Sequence, residues 1–279
     1  MTPLSPMMRH LPEYLMESVL LGLFMISACA FTVLLQHPAS PVHAAIPDPF
    51  VRRLFTGIAM GSTAILLIYS PWGKQSGAHM NPAITLTFTR LGKVAPRDAA
   101  AYAAAQFVGG VGGVLIARTV FGRLLADPRV GYAATLPGRW GVLVAFAAEA
   151  GISCLLVLAV LSVSNHPRWA AFTGVCAGAM VACYITFEAP LSGMSMNPAR
   201  TFGSALFAGD LSALWIYFTA PPLGMLGAAQ LYLAWRGRQS IACAKLHHQN
   251  SKRCIFCEYQ AARGMAPPAQ GTNPRPSTL

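Results

Sequence analysis

The tripeptide Asn-Pro-Ala occurs twice in this 279-residue chain, as Asn81-Pro82-Ala83 within SGAHMNPA and as Asn197-Pro198-Ala199 within SGMSMNPAR. Each copy follows a long apolar stretch and opens a short one. Asn is a favoured N-cap, because its side-chain oxygen accepts from the first free backbone N–H groups of a helix. Pro suits the first helical position, where no N–H is needed. Each copy therefore predicts a helix start, and with the Asn oxygen engaged its NH2 group remains as a donor. Two such donors in matched settings predict a paired polar site.

The surroundings are those of a membrane. Hydrophobic residues make up 54% of the chain and charged residues 10%, with a mean hydropathy of +0.49; a soluble domain carries about 25% charged residues. Six stretches are long and apolar enough to span, near Tyr14–Leu35, Leu54–Ser70, Ala99–Val120, Val142–Val163, Trp169–Phe187 and Leu214–Trp235. All five Trp fall at or beside a stretch end, as an aromatic belt requires. The segments Pro82–Leu91 and Pro198–Ala208 are shorter. As helices they reach about 15 Å, half of a ~30 Å hydrocarbon core. Two such half-helices entering from opposite faces meet near the midplane, where non-helical backbone is tolerated only inside protein or along a water-filled cavity.

Each half of the chain thus reads as three spans with a half-helix between the second and third. Glu17 and Glu149 both lie in a first span, and Gln106-x-x-Gly109 echoes Pro221-x-x-Gly224. Because three is odd, the second half must enter inverted, and inverted repeats place their site at the shared interface, at broken helices.

These motifs resemble the major intrinsic protein family of aquaporins and glycerol facilitators, as a bacterial-type aquaporin-like member, over about Leu11 to Trp235. The resemblance implies an all-α membrane protein, a bundle of six transmembrane helices plus two re-entrant half-helices. Residues 1–236 would form the channel domain, with repeats at about 11–125 and 138–236, and residues 237–279 a basic, Cys/His-containing, partly disordered tail. It also implies a homotetramer with a pore in each protomer, both termini cytoplasmic, in the plasma (inner) membrane. The implied permeants are water and small neutral solutes such as glycerol or urea.

In such a pore Asn81 and Asn197 donate at the centre, while the half-helix dipoles and the fixed charge of Arg200 oppose cations. The buried acids Glu17 and Glu149 are expected to accept backbone N–H groups of the two cap loops rather than to relay protons. Family offsets put the selectivity constriction at Gly61, Ile185, Met194 and Arg200, wider or more apolar than a strict water filter. Arg200-Thr201, where glycerol facilitators carry Arg-Asp, and Tyr217-Phe218 resemble the water-type branch. His79 either lines the cytoplasmic mouth or braces its loop.

From Arg236 onward seven cations face Glu258 alone. Such a basic tail is expected to attract anionic lipid of the bilayer; nucleic acid has no motif behind it. Cys243, His247, His248, Cys254 and Cys257 carry the right ligand types for a small zinc site, with free thiols as the alternative. A membrane-anchored metal or redox sensor and a secondary transporter are the competing functions. The second lacks intramembrane coupling charges. Enzymatic chemistry has no nucleophile–base pair or cofactor fingerprint, and no cofactor is required.

Overall fold

The computed structural model describes residues 6–237 and 240–264. Every regular element among them is helical: α1 (Pro6–Gln36), α2 (Pro41–Ala45), α3 (Pro49–Tyr69), α4 (Pro71–Ser76), α5 (Pro82–Arg90), α6 (Pro96–Phe121), α7 (Val142–Ser164), α8 (Thr173–Phe187), α9 (Ala189–Ser192), α10 (Pro198–Ala208), α11 (Leu214–Arg236) and α12 (Ile255–Ala262). Short 3-10 turns fill the links at 122–124, 131–133 and 170–172.

Five of the six long helices are apolar and long enough to cross a bilayer by length and composition. The sixth, α11, has 23 residues and carries Pro221 and Pro222 within it. Their outer faces are bare hydrocarbon, with Leu66 71% and Leu143 79% exposed. That burial pattern belongs to a lipid solvent rather than to water. The five Trp are all exposed at helix ends. The protein is an integral, multi-pass membrane protein.

The bundle is held by close helix pairs: α1 on α6, α3 on α8, and α7 on α11. Small residues permit the approach. A Cβ added at Gly109 would sit 2.0 Å from the Ser18 carbonyl oxygen, and one at Gly113 2.4 Å from that of Gly22. The pairing α1·α6 in the first half matches α7·α11 in the second, so the helix order repeats with inversion.

The half-helices start where their Pro residues predict. α5 and α10 hold 9 and 11 residues, about 14 and 16 Å of helix. α10 ends on Gly209, in the left-handed conformation that favours Gly.

The chain beyond α11 departs from expectation. Residues 240–264 fold back onto the bundle at the end where α1 begins: Arg253 Nη1 donates to the Arg9 carbonyl at 2.7 Å, and Lys93 Nζ to Gln260 Oε1 at 2.9 Å. Ile241, Cys243, Ala244, Leu246, Ile255 and Phe256 are buried there. The cations of this stretch are not all free for lipid. Lys245 is buried and donates to the carbonyls of Lys252 and Arg253, while Arg253 forks onto Glu258. The segment MAPPAQGTNPRPSTL, 265–279, expected to be disordered, lies outside the described residues.

Candidate functional site

The two cap loops are built from the same parts. In the first, Ser76 donates to Glu17 Oε1 at 2.7 Å, and His79 N and Met80 N donate to the same carboxylate at 3.0 and 2.6 Å. In the second, Ser192, Ser195 N and Met196 N donate to Glu149 at 2.8, 2.7 and 2.7 Å. Each serine also accepts from a backbone N–H two residues on, Ala78 or Met194, both at 3.1 Å. Tyr102 and Tyr217 cap the carbonyls of Ser76 and Ser192. The acids and serines are fully buried.

This anchoring holds strained backbone. Ala78, Met80, Met194 and Met196 have φ of 55°, 46°, 53° and 55°. Left-handed backbone costs a non-glycine residue about 1–2 kcal/mol, so the conformation persists only where surrounding bonds over-determine it. The carboxylates do so by collecting adjacent N–H groups that point the same way.

Each loop delivers its Asn to the other half. Asn81 Oδ1 accepts from Ala83 N at 2.8 Å, and Asn197 Oδ1 from Ala199 N at 3.1 Å and Arg200 N at 3.2 Å. The amide nitrogens cross over: Asn81 Nδ2 donates to the Met196 carbonyl and Asn197 Nδ2 to that of Met80, both at 2.7 Å. The expectation of wholly outward donors therefore needs refining. Each NH2 has two N–H groups; one ties the halves together and the second remains for the cavity.

Both Asn line one cavity of about 340 Å³ running through the bundle. Its walls are helix stripes at i, i+4 spacing: Thr56, Met60, Ala64 and Ile68 of α3, and Ala177, Val181 and Ile185 of α8. Met194 and Arg200 also line it. Arg200 Nη1 is buried without a hydrogen-bond partner, leaving donor capacity on a wall that also carries Arg53, Thr56 and Arg129.

Gly61 does not line the cavity. It lies on the face of α3 that packs against α8, where an added Cβ would be 2.4 Å from the Gly178 carbonyl oxygen and 2.9 Å from Ala182 Cβ. The neighbouring Met60 takes the cavity-facing position, because one residue along a helix turns a side chain by about 100°. The spacing from Asn81 therefore fell one residue short of the cavity-facing position.

His79 lines the cavity and also braces its loop. Its ring nitrogens lie 3.0 Å from Thr85 Oγ1 and 2.9 Å from the Ala244 carbonyl oxygen. Residue reading missed Ser76 and Ser192, and named Gln106 without foreseeing that it donates to Glu17 Oε2 at 2.7 Å. The repeated Ser-Gly five residues before each Asn was the available signal.

Of the five tail residues, four converge. The ligand atoms of Cys243, His248, Cys254 and Cys257 all lie within 4.8 Å of one another. His247 is excluded; its ring meets Tyr69 edge-on at 5.0 Å. Hydrogen bonds from Cys243 and Cys257 hold the Cys254 thiol well below the usual thiol range, while burial pushes the Lys245 ammonium down.

Comparison with known proteins places this geometry. A family model described as major intrinsic protein matches residues 7–232. Aquaporin NIP1-3 of Oryza sativa subsp. japonica is 35% identical over 181 residues, covering 64% of this chain and 61% of that protein. Aquaporin NIP6-1 of Arabidopsis thaliana is 34% identical over 175 residues, covering 62% and 55%. The chain thus spans about three-fifths of the length of the curated relatives it matches. Among solved structures, the aquaglyceroporin from Plasmodium falciparum aligns with a TM-score of 0.65 at 19% identity, over 80% of this chain and 95% of that one. At that identity the likeness speaks for the fold.

Proposed function

This chain belongs to the major intrinsic protein family, and on that premise we propose that it is a passive channel for water and small neutral solutes. The observation that carries the proposal is the meeting of Asn81 and Asn197 in one cavity walled by largely apolar helix stripes. A neutral molecule leaving water loses hydrogen bonds, and the free amide N–H groups replace them at the centre. Cations meet the positive ends of α5 and α10 and the guanidinium of Arg200.

The constriction is formed by Met60, Ile185, Met194 and Arg200. Three apolar side chains facing one donor fork favour small solutes with an apolar flank as well as water. Met is flexible enough to adjust the width. The assembly is a homotetramer in the plasma (inner) membrane, with both termini cytoplasmic.

Stopped-flow light scattering on proteoliposomes, challenged with sucrose, glycerol and urea, tests the reading. Water flux above that of empty vesicles, with a low activation energy, is expected, and flux indistinguishable from empty vesicles both before and after metal is stripped from the protein rejects it.

The tail cluster fits zinc. With Zn–S bonds of about 2.3 Å, a tetrahedral site sets its sulfurs about 3.8 Å apart. Here Cys243 Sγ lies 3.5 Å from Cys254 Sγ and 3.8 Å from Cys257 Sγ, with His248 Nε2 3.6 Å from Cys257 Sγ. A disulfide needs about 2.05 Å, so these distances match ligands around one ion. Elemental analysis of the purified protein, expected to return one zinc per chain, is the check.

A further inference from the structure

The tail contributes to the cavity wall at the end where the first cap loop enters. Leu246 lines it beside Ile68, Ala78 and His79. The segment carrying Leu246 is bonded directly to the first cap loop, with Leu246 N donating to the Gly77 carbonyl at 3.2 Å and the Ala244 carbonyl accepting from the His79 ring at 2.9 Å. Phe256 stacks on the other side of this contact, its ring 5.3 Å from that of His79 and inclined by 2°. Gly77 is shaped to receive it, since a Cβ there would meet Phe256 Cε2 at 2.8 Å. A solute arriving from the Asn pair therefore meets an apolar side chain carried on backbone that is bonded to the first cap loop.

What folds this plug is not its own core. α12 has 8 residues, and a helix that short is marginal by itself. The four ligand atoms sit on both parts of the plug: Cys243 and His248 flank the blocking residues 244–246, while Cys254 and Cys257 belong to the start of α12. One ion would cross-link the two. Structural zinc is the deciding contribution to folding in small metal-folded units.

We propose that zinc bound by Cys243, His248, Cys254 and Cys257 locks residues 244–246 across the inner mouth, so that the tail is a metal-operated gate on the cavity. This rests on the channel reading above. Bound zinc keeps the gate shut. Its removal takes away the cross-link between the two parts of the plug, leaving only the packing of residues such as Leu246, Ile255 and Phe256 and a few hydrogen bonds to hold it, and the mouth opens.

The test uses the full chain in proteoliposomes: zinc-loaded, stripped with a membrane-permeant chelator, and reloaded. A plug shut nine-tenths of the time and released by stripping gives about a tenfold rise in water flux, reversed by zinc. The double variant Cys254→Ser/Cys257→Ser should conduct at the stripped level with or without zinc. Leu246→Gly should conduct while still retaining one zinc per chain, which separates plugging from misfolding. Equal flux in loaded, stripped and Leu246→Gly protein, all above empty vesicles, overturns the gate and leaves the channel standing. Failure to retain zinc also overturns it. No flux in any of them, with folded protein in the vesicles, rejects the channel reading itself.

Discussion

The loop ending at Asn81 and the loop ending at Asn197 are assembled alike: a serine, a left-handed glycine, two left-handed non-glycine residues, a buried glutamate and a tyrosine. Beyond that frame they diverge. His79 stands where the second loop has Ser195, and Ile84 in α5 holds the place of Arg200 in α10. Gln106 donates to Glu17, whereas its counterpart Pro221 has no donor to give Glu149. The tail docks on the first loop. Duplication supplied a symmetric support for two re-entrant turns, and divergence made the two ends of the cavity different. One end carries a guanidinium. The other carries an imidazole and a plug.

The largest expected effect breaks the shared frame. Hydrogen bonds to a charged group are worth about 1.5–3 kcal/mol each, and each acid accepts at least three. Glu17→Gln and Glu149→Gln should both lower the thermal unfolding midpoint in detergent severely. Glu17→Gln should fall further, because Gln106 also loses its acceptor. Wild-type midpoints in either variant would defeat the bracing account.

Next come two neighbours on α3. Gly61→Leu forces a side chain into the α8 backbone, an overpacking cost of about 1–3 kcal/mol or more, read as aggregation on size-exclusion chromatography. Met60→Ala should elute as wild type and raise glycerol flux relative to water. The reverse pattern would return the constriction to Gly61.

Arg200→Ile makes the second half-helix resemble the first at this position. Water flux should persist, while a pH-sensitive dye inside the vesicles should report proton or cation leakage absent from wild type. An unchanged dye signal would assign exclusion to the half-helix dipoles alone. The smallest effect is at Thr85 and Thr201, whose hydroxyls face His79 and Ser195 respectively. Thr→Val at either should cost about 1 kcal/mol, measurable as a modest drop in unfolding midpoint. A much larger loss at Thr85 alone would mean that His79 orientation also supports the docked tail.

Residue type and spacing alone determined the spans, the two half-helix starts and the duplication. Those signals are local: a cap reads from three residues, a span from about twenty, and a buried glutamate stands out in any apolar run. Sequence also singled out the cysteines and histidines of the tail. Three matters were decided only by tertiary structure. Whether Met60 or Gly61 faces the cavity depends on helix rotation, which a count of residues from Asn81 does not fix. His247 and His248 are adjacent in sequence, yet only His248 reaches the sulfurs, because backbone direction separates adjacent side chains. The tail's fold also depends on partners distant in sequence, since Phe256, Ala244 and Leu246 acquire their places by meeting His79 and Gly77. Contacts across such separations leave no periodic trace in a single chain, so only the folded protein places residues 244–246 over the cavity's end.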